Sequence, residues 1–421
     1  MSPTGACDGP EAPAPGPWRG SLTAVLVGCV YSLALLWCRL RGRPRRPAEL
    51  RKVAVVGTFY NTNWFLSHAV PLTRAGIEEL VVVTDAPPAA VPGIRFVCPP
   101  RWVRSAAGRT IAKLAWLFLA GLRHRPAVYM GYALMPGAVM ALIAGRAFGR
   151  PVCYQMTGGP VEVAGGGFGA ENPVLSRLAR ARPGLERLAL RLVREFDQVI
   201  VRGRRAKAYL VERGVPPPAV AVIPGSVDPG SFVAPPERTL DLVFVGRLVE
   251  LKQPLQFVEI LAAVATHRPS TRALMIGGGP LEDAVREHAS ALGVSGRLEL
   301  AGKSDQVAAL LARSRVFVLT SRTEGLSIAM AEAMMAGVVP VVADVGELSE
   351  LVCSGSNGYL VTPNDVAAFA GHIVDLLAQP LLWSRLSTAA AAAARAHVGL
   401  DHVSSLWRTQ LDLIRDASRP H

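Results

Sequence analysis

Two successive series of short apolar runs alternating with helical patterns, split by a Pro/Gly-rich segment, constrain this chain more than any other feature. In the first series, KVAVVG (52–57), ELVVVTD (79–85), AVYMG (127–131), PVCYQM (151–156) and QVIVR (198–202) read as strands. Helical patterns over 64–75, 108–122, 134–147 and 174–194 lie between them. In the second series, DLVFVG (241–246), RALMIGG (272–278), RLELAG (297–302), RVFVLTS (315–321) and VVPVVA (338–343) read as strands. Helices are expected at 253–266, 280–292, 304–312, 327–336, 365–378, 380–396 and 401–416. Runs without polar alternation suit strands buried on both faces, and strand–helix alternation predicts parallel, doubly wound sheets. The segment 214–232, rich in Pro and Gly, marks the hinge. Ligands of such sheets bind beyond the carboxyl ends of the strands, so two of them imply a cleft.

The expected organisation follows. Residues 1–19 form a disordered tail, 20–38 a membrane helix and 52–222 a first Rossmann-like domain. Residues 223–232 link it to a second such domain over 233–396, and 397–421 form a C-terminal helix that could pack back on the first domain.

Gly20–Cys38 carries no charge over 19 residues. As a helix it spans about 28 Å, close to a bilayer's hydrocarbon thickness. Arg39, Arg41, Arg43, Arg45, Arg46, Arg51 and Lys52 follow it, whereas Asp8, Glu11 and Arg19 precede it. That bias predicts a single pass with the remaining chain in the cytoplasm. The alternative is a helix buried against the protein.

Charge is unevenly spread. Residues 1–52 carry net +5, 53–230 net +11 and 231–421 net −3, giving the overall +13. The basic front half points to anionic lipid or a phosphate-bearing lipid, with Lys113, Arg109, Arg187 and Arg191 on amphipathic patterns, or else to ordinary solvated arginines in an Arg-rich sequence. Nucleic acid is disfavoured, because no stacking motif or helix-turn-helix pattern occurs. Six scattered Cys with no CxxC pair argue against a disulfide or zinc scaffold.

Three motifs carry chemistry. In VFVGRLVELKQP (243–254), Gly246 ends a strand, and Arg247 and Lys252 make a candidate diphosphate clamp at the next helix entrance. In IGGGPLEDAV (276–285), Gly277 and Gly278 let backbone approach a ligand, but neither GxGxxG nor GxxxxGK[ST] is present. In LTSRTEGLSIAMAEAMMAGVVPVVA (319–343), Glu324 precedes Gly325, Leu326 and a capping Ser327, and Glu332 lies eight residues on in an apolar helix. First-turn amides favour an anion, and carboxylates beside them suit neutral hydroxyls. Each motif also has a plain structural reading: solvated basic residues, a packing turn, a solvated helix face.

Together GRLVELK (246–252), GGGPLE (277–282), EGLSIAMAEAMMAG (324–337) and VGELSELV…GSNGYLV (345–361) resemble the retaining GT-B glycosyltransferases of the family 4 type. The resemblance is strong over 241–361 and loose in the first half. It implies two Rossmann-like α/β domains facing across a cleft, with a nucleotide-sugar donor in the second. It implies that Arg247 and Lys252 stabilise the diphosphate, Glu324 contacts the donor sugar and Glu332 the ribose. The amides of Gly325, Leu326 and Ser327 would sit near sugar and phosphates, and Lys303 or Ser304 near the base. It implies a metal-independent hexosyltransferase needing no cofactor, whose acceptor is a lipid-linked saccharide or glycan precursor. An epimerase or a non-catalytic scaffold of the same architecture are the rivals.

This sequence departs from the pattern in three places. GTFYNTNWF (57–65) stands where a Gly-rich turn is usual, Glu347 follows Gly346 where a small residue is expected, and 157–173 is a long Gly-rich loop, expected to line the acceptor side of the cleft, with a lid as one form it could take. His68 is a possible sugar contact or an ordinary buried histidine.

Overall fold

The computed structural model describes residues 17–44, 47, 49–59, 61–88, 90–170, 172, 174–178, 180–232 and 237–416. Its first sheet contains β1 (Lys52–Val56), β2 (Glu79–Val83), β3 (Ile94–Val97), β4 (Val128–Tyr132), β5 (Val152–Gln155), β6 (Gln198–Val201) and β7 (Val220–Val222). Their order is β3-β2-β1-β4-β5-β6-β7, parallel throughout. The second sheet contains β8 (Leu240–Val245), β9 (Ala273–Ile276), β10 (Leu298–Gly302), β11 (Ser314–Leu319), β12 (Val339–Ala343) and β13 (Tyr359–Val361). Their order is β10-β9-β8-β11-β12-β13, again parallel.

Both faces of each sheet are buried, which is why the strands read as unbroken apolar runs. In β1, Val53 and Val55 enter one core and Ala54 and Val56 the other. In β8, Leu242 and Phe244 face one core and Val243 the opposite one.

Helix boundaries differ from expectation where proline intervenes. Instead of one helix over 174–194, a short turn at Leu175–Arg177 precedes a helix over Pro183–Val193. Pro183 lacks the N–H that a continuing helix would need. The helix expected at 134–147 becomes regular only over Val139–Ala147, after Pro136.

The first helix runs over Pro17–Arg41, longer at both ends than 20–38. Residues 17–19 therefore begin a helix rather than end a tail, and 1–16 lie outside the described residues. Gly20–Arg41 is long and apolar enough to cross a membrane, with mean hydropathy 2.0. One stripe of it nevertheless packs into the first unit's core through Val27, Tyr31, Ala34 and Cys38.

The linker and the C-terminal helix both tie the two units together. Val227 in the linker bridges Gly399 in parallel, with Val227 N–H donating to Val398 O at 2.7 Å. The helix Leu400–Asp416 then lies on the helix Thr62–Arg74 of the first unit. It buries Val403, Trp407 and Leu411 there.

Glu347 is fully buried and ends up between the units. Its carboxylate accepts the N–H groups of Arg205 at 3.1 Å and Ala206 at 2.6 Å. Glu350 accepts that of Arg204 at 2.9 Å. Two acids of the second unit thus cap the helix Arg204–Glu212 of the first, satisfying amides that helices leave unpaired. Burial nonetheless holds the Glu347 carboxyl above its ordinary range. Glu347→Ala is expected to cost about 0.5–2 kcal/mol, the range for losing a helix cap. Thermal unfolding of the variant beside the parent checks this, and an unchanged midpoint would show that the contact contributes nothing.

Candidate active site

The expected site residues converge on one edge of the second sheet. Gly246 follows β8, Gly277 and Gly278 follow β9, Lys303 follows β10, and Thr320–Gly325 follow β11. Strand order reverses between β8 and β11, the switch point where such sheets bind ligands. Gly277 is required there: at φ +142 its Cβ would stand 1.8 Å from Gly246 O, so the two turns lie directly on each other. Exposed Lys303 runs across this turn, its Cγ 3.5 Å from where a Gly278 Cβ would be.

Lys252, Ser321 and Glu324 form a tight polar cluster. Lys252 Nζ pairs with Glu324 Oε1, and Ser321 Oγ donates to the same oxygen at 2.6 Å. The turn bearing Lys252 is fixed by Thr320 Oγ1, which donates to the carbonyls of Lys252 at 3.0 Å and Gln253 at 2.9 Å. Side-chain exposure is 17% for Lys252 and 8% for Glu324, so the pair is largely withdrawn from water. The sequence reading gave these residues separate tasks; the geometry couples them, with Glu324 holding the ammonium at the switch point. Arg247 lies at the same edge and is exposed.

Ser327 Oγ caps the helix Ile328–Met335 by accepting Met330 N–H at 3.3 Å. Glu332 lies one turn into this helix. Its carboxylate has no hydrogen-bond or ion-pair partner among the described residues, although it keeps some solvent contact. Burial alone pushes its carboxyl up to about 7. A desolvated acid without a cation suits neutral hydroxyls.

The first unit closes on this edge. Thr157 O lies so near Gly325 that a Cβ there would stand 2.0 Å away, which admits only glycine. The first part of the Gly-rich loop, which makes this contact, is held by two carboxylates. Buried Glu162 accepts Thr157 N–H at 2.8 Å, Leu134 N–H at 3.1 Å and Tyr154 O–H at 2.6 Å, and also Gly158 N–H. Glu186 Oε2 accepts Gly165 N–H at 2.7 Å.

Sequence reasoning missed one polar cluster. Lys113, expected on a helix face towards headgroups, a lipid diphosphate or solvent, has a buried ammonium. It donates to Thr58 Oγ1 at 2.6 Å and lies 3.1 Å from Asp85 Oδ2, beyond the ends of β1 and β2. Desolvation lowers its pKa, against the pull of Asp85. A lone basic residue on an amphipathic pattern gave no signal of this inward turn. His68 is buried and packs at 4.4 Å, tilted, against the Trp64 ring, and its Nδ1 is shared between Trp64 O and Ser67 Oγ. Desolvation, aided by Arg202, holds it neutral, as expected for a core histidine.

No group of three or more His, Cys, Asp or Glu among the described residues could hold a metal ion.

The family description "Glycosyl transferases group 1" matches residues 232–395, and "Glycosyl transferase 4-like domain" matches 65–225. The chain belongs to the group 1 glycosyltransferases. Among solved structures, this family member resembles Anabaena HepE in complex with UDP and glucose. The TM-score is 0.70 at 17% identity, covering 86% of this chain and 100% of that one. The two-lobed GT-B architecture is therefore shared. A curated relative is the GDP-mannose-dependent alpha-(1-6)-phosphatidylinositol monomannoside mannosyltransferase of Mycolicibacterium smegmatis. It is 28% identical over 256 residues, 56% of this chain and 64% of the relative. Another is the GDP-mannose:cellobiosyl-diphosphopolyprenol alpha-mannosyltransferase of Xanthomonas campestris, 29% identical over 178 residues, 40% of this chain and 46% of the relative. The Streptomyces coelicolor exopolysaccharide phosphotransferase matches at 28% over 248 residues, only 24% of its length. The chain thus spans less than two thirds of these curated relatives.

Proposed function

We propose that this chain is a retaining glycosyltransferase. It moves a sugar from a nucleoside diphosphate donor to a lipid-linked saccharide or glycan acceptor at the cytoplasmic face of a membrane. The observation that carries the reading is the coupled Lys252–Glu324 pair at the β8/β11 switch point, beside a capped helix bearing the unpartnered Glu332. Two of the named relatives, the phosphatidylinositol monomannoside and the cellobiosyl-diphosphopolyprenol mannosyltransferases, are named for lipid-borne acceptors, and the apolar first helix with its arginine flank supports the membrane-face location.

In this reading the bond from the sugar's anomeric carbon to the donor phosphate oxygen breaks. The acceptor oxygen attacks from the same face, and its proton passes to the departing diphosphate. Negative charge grows on that diphosphate. Lys252 Nζ, Arg247 and the first amides of the helix Ile328–Met335 would meet it, fixed in place before reaction. Glu324, relieved of part of its hold on Lys252, would orient donor sugar hydroxyls, and Glu332 the ribose.

The test is a screen of nucleotide sugars with polyprenyl-diphosphate-linked acceptors, with the anomeric configuration of the product read by NMR. Transfer with retained configuration and strict dependence on acceptor supports the proposal. Inverted product would overturn retention, and conversion of the donor without acceptor would point to an epimerase.

A further inference from the structure

The helix Pro17–Arg41 is apolar on two opposite faces, and packing accounts for one of them. Val27, Tyr31, Ala34 and Cys38 form the inner stripe, each at most 3% exposed. Trp37 Nε1–H ties the helix to Ile143 O at 3.1 Å. The outer stripe of Leu22, Val25, Leu26, Leu33, Leu36 and Leu40 is at least 52% exposed. A helix apolar all round needs apolar surroundings on both sides.

The outer stripe does not stand alone. The buried helix Val139–Ala147 packs against both Pro17–Arg41 and the helix Arg109–His124, placing all three in one layer. Arg109–His124 likewise exposes Ile111, Leu119 and Leu122, and the adjoining short helix exposes Trp102 at 74%.

We propose that this face lies flat on an anionic bilayer, with the first helix embedded lengthwise rather than crossing. The idea deepens the membrane-face reading and rests on it. Crossing in the docked state is excluded by its neighbour. The helix Pro183–Val193 packs alongside Pro17–Arg41 and exposes Arg187 and Arg191, which a crossing would carry to hydrocarbon depth. Crossing after undocking would strip Tyr31 and its companions from the core. Lying in plane, the leucines reach the acyl boundary while Arg39, Arg41, Arg43, Arg187 and Arg191 stay among headgroups. The same arginines disfavour a second copy on this face, since like charges would meet.

The first experiment places an epitope ahead of Met1 and applies external protease to right-side-out and inverted membrane vesicles from expressing cells. The in-plane helix predicts that the epitope and the C-terminal unit are cleaved on the same side. Cleavage on opposite sides would overturn it and leave the membrane-face reading standing. The second sediments the purified full chain with phosphatidylglycerol or phosphatidylcholine vesicles. Binding to the first should exceed that to the second, and Leu22→Ser/Leu26→Ser/Leu33→Ser should lower bound protein about tenfold or more with an unchanged melting midpoint. Equal binding by the triple variant would overturn the proposal. Failure of the unaltered chain to bind either vesicle would instead sink the membrane-face reading.

Discussion

Lys252→Ala is expected to lower kcat for transfer by about two to three orders of magnitude, the usual loss when one fixed charge-stabilising donor is removed. Glu324→Gln should do comparable damage, by a different route. In the parent, Lys252 Nζ and Ser321 Oγ both converge on Glu324 Oε1. Without the lysine, a buried carboxylate keeps only the serine, so Lys252→Ala should also lose about 1–3 kcal/mol of stability as an unpaired charge is left behind. Glu324→Gln leaves an ammonium that can still reach water. The double variant should therefore be more stable than Lys252→Ala alone, as expected of residues in contact. Denaturant titration of all four proteins measures the coupling. Additive stability changes would show that the two side chains do not act as a pair.

Glu332→Gln should separate binding from stability with opposite signs. Burial raises this carboxyl from 4.5 to about 7. The folded state therefore holds the proton more tightly than the unfolded chain. Its contribution is most favourable below pH 4.5, erodes as pH rises towards 7, and is flat above. The full difference is about 3 kcal/mol by linkage. At pH 8 the glutamine variant should be more stable than the parent by up to that amount, and near pH 4 the two should coincide. Donor affinity should fall about tenfold or more, because a charged acceptor for the ribose hydroxyls is lost. Parent affinity should also rise with pH through about 7, a dependence that the variant lacks. A variant less stable at pH 8 with unaltered affinity would remove Glu332 from the site.

What could be read from the sequence was what depended on neighbours along the chain. The core strands were legible because Val53–Val56 and Leu242–Phe244 are buried on both faces and carry uninterrupted apolar side chains. β3, β7 and β13 were not, because each lies at a sheet edge, is only three or four residues long and is half-exposed. The helix Arg204–Glu212 lacks a capping side chain of its own at Gly203. Its caps come from Glu347 and Glu350 in the other unit, and only the fold brings them there. The same contact explains the acid at 347 that looked out of place. The motif residues assembled by resemblance sit along one strand edge. The link between Lys252 and Glu324 spans 72 positions, and no local spacing could announce it. Lys113 shows the converse failure: its amphipathic setting suggested a lipid surface, while Asp85 draws it inward.

The central claim is that the carboxyl edge of β8–β11 grips a nucleoside diphosphate through Lys252, with Glu332 on the ribose. Calorimetric titration of nucleoside diphosphates into the full chain, the Lys252→Ala and Glu332→Gln variants, and Asp412→Ala on the half-exposed face of the C-terminal helix as a control away from the cluster tests it most directly. The account predicts saturable one-site binding to the parent and the control, weakened about tenfold or more in the two site variants. Binding of equal strength to all four proteins, or none to the parent with any base, would contradict it.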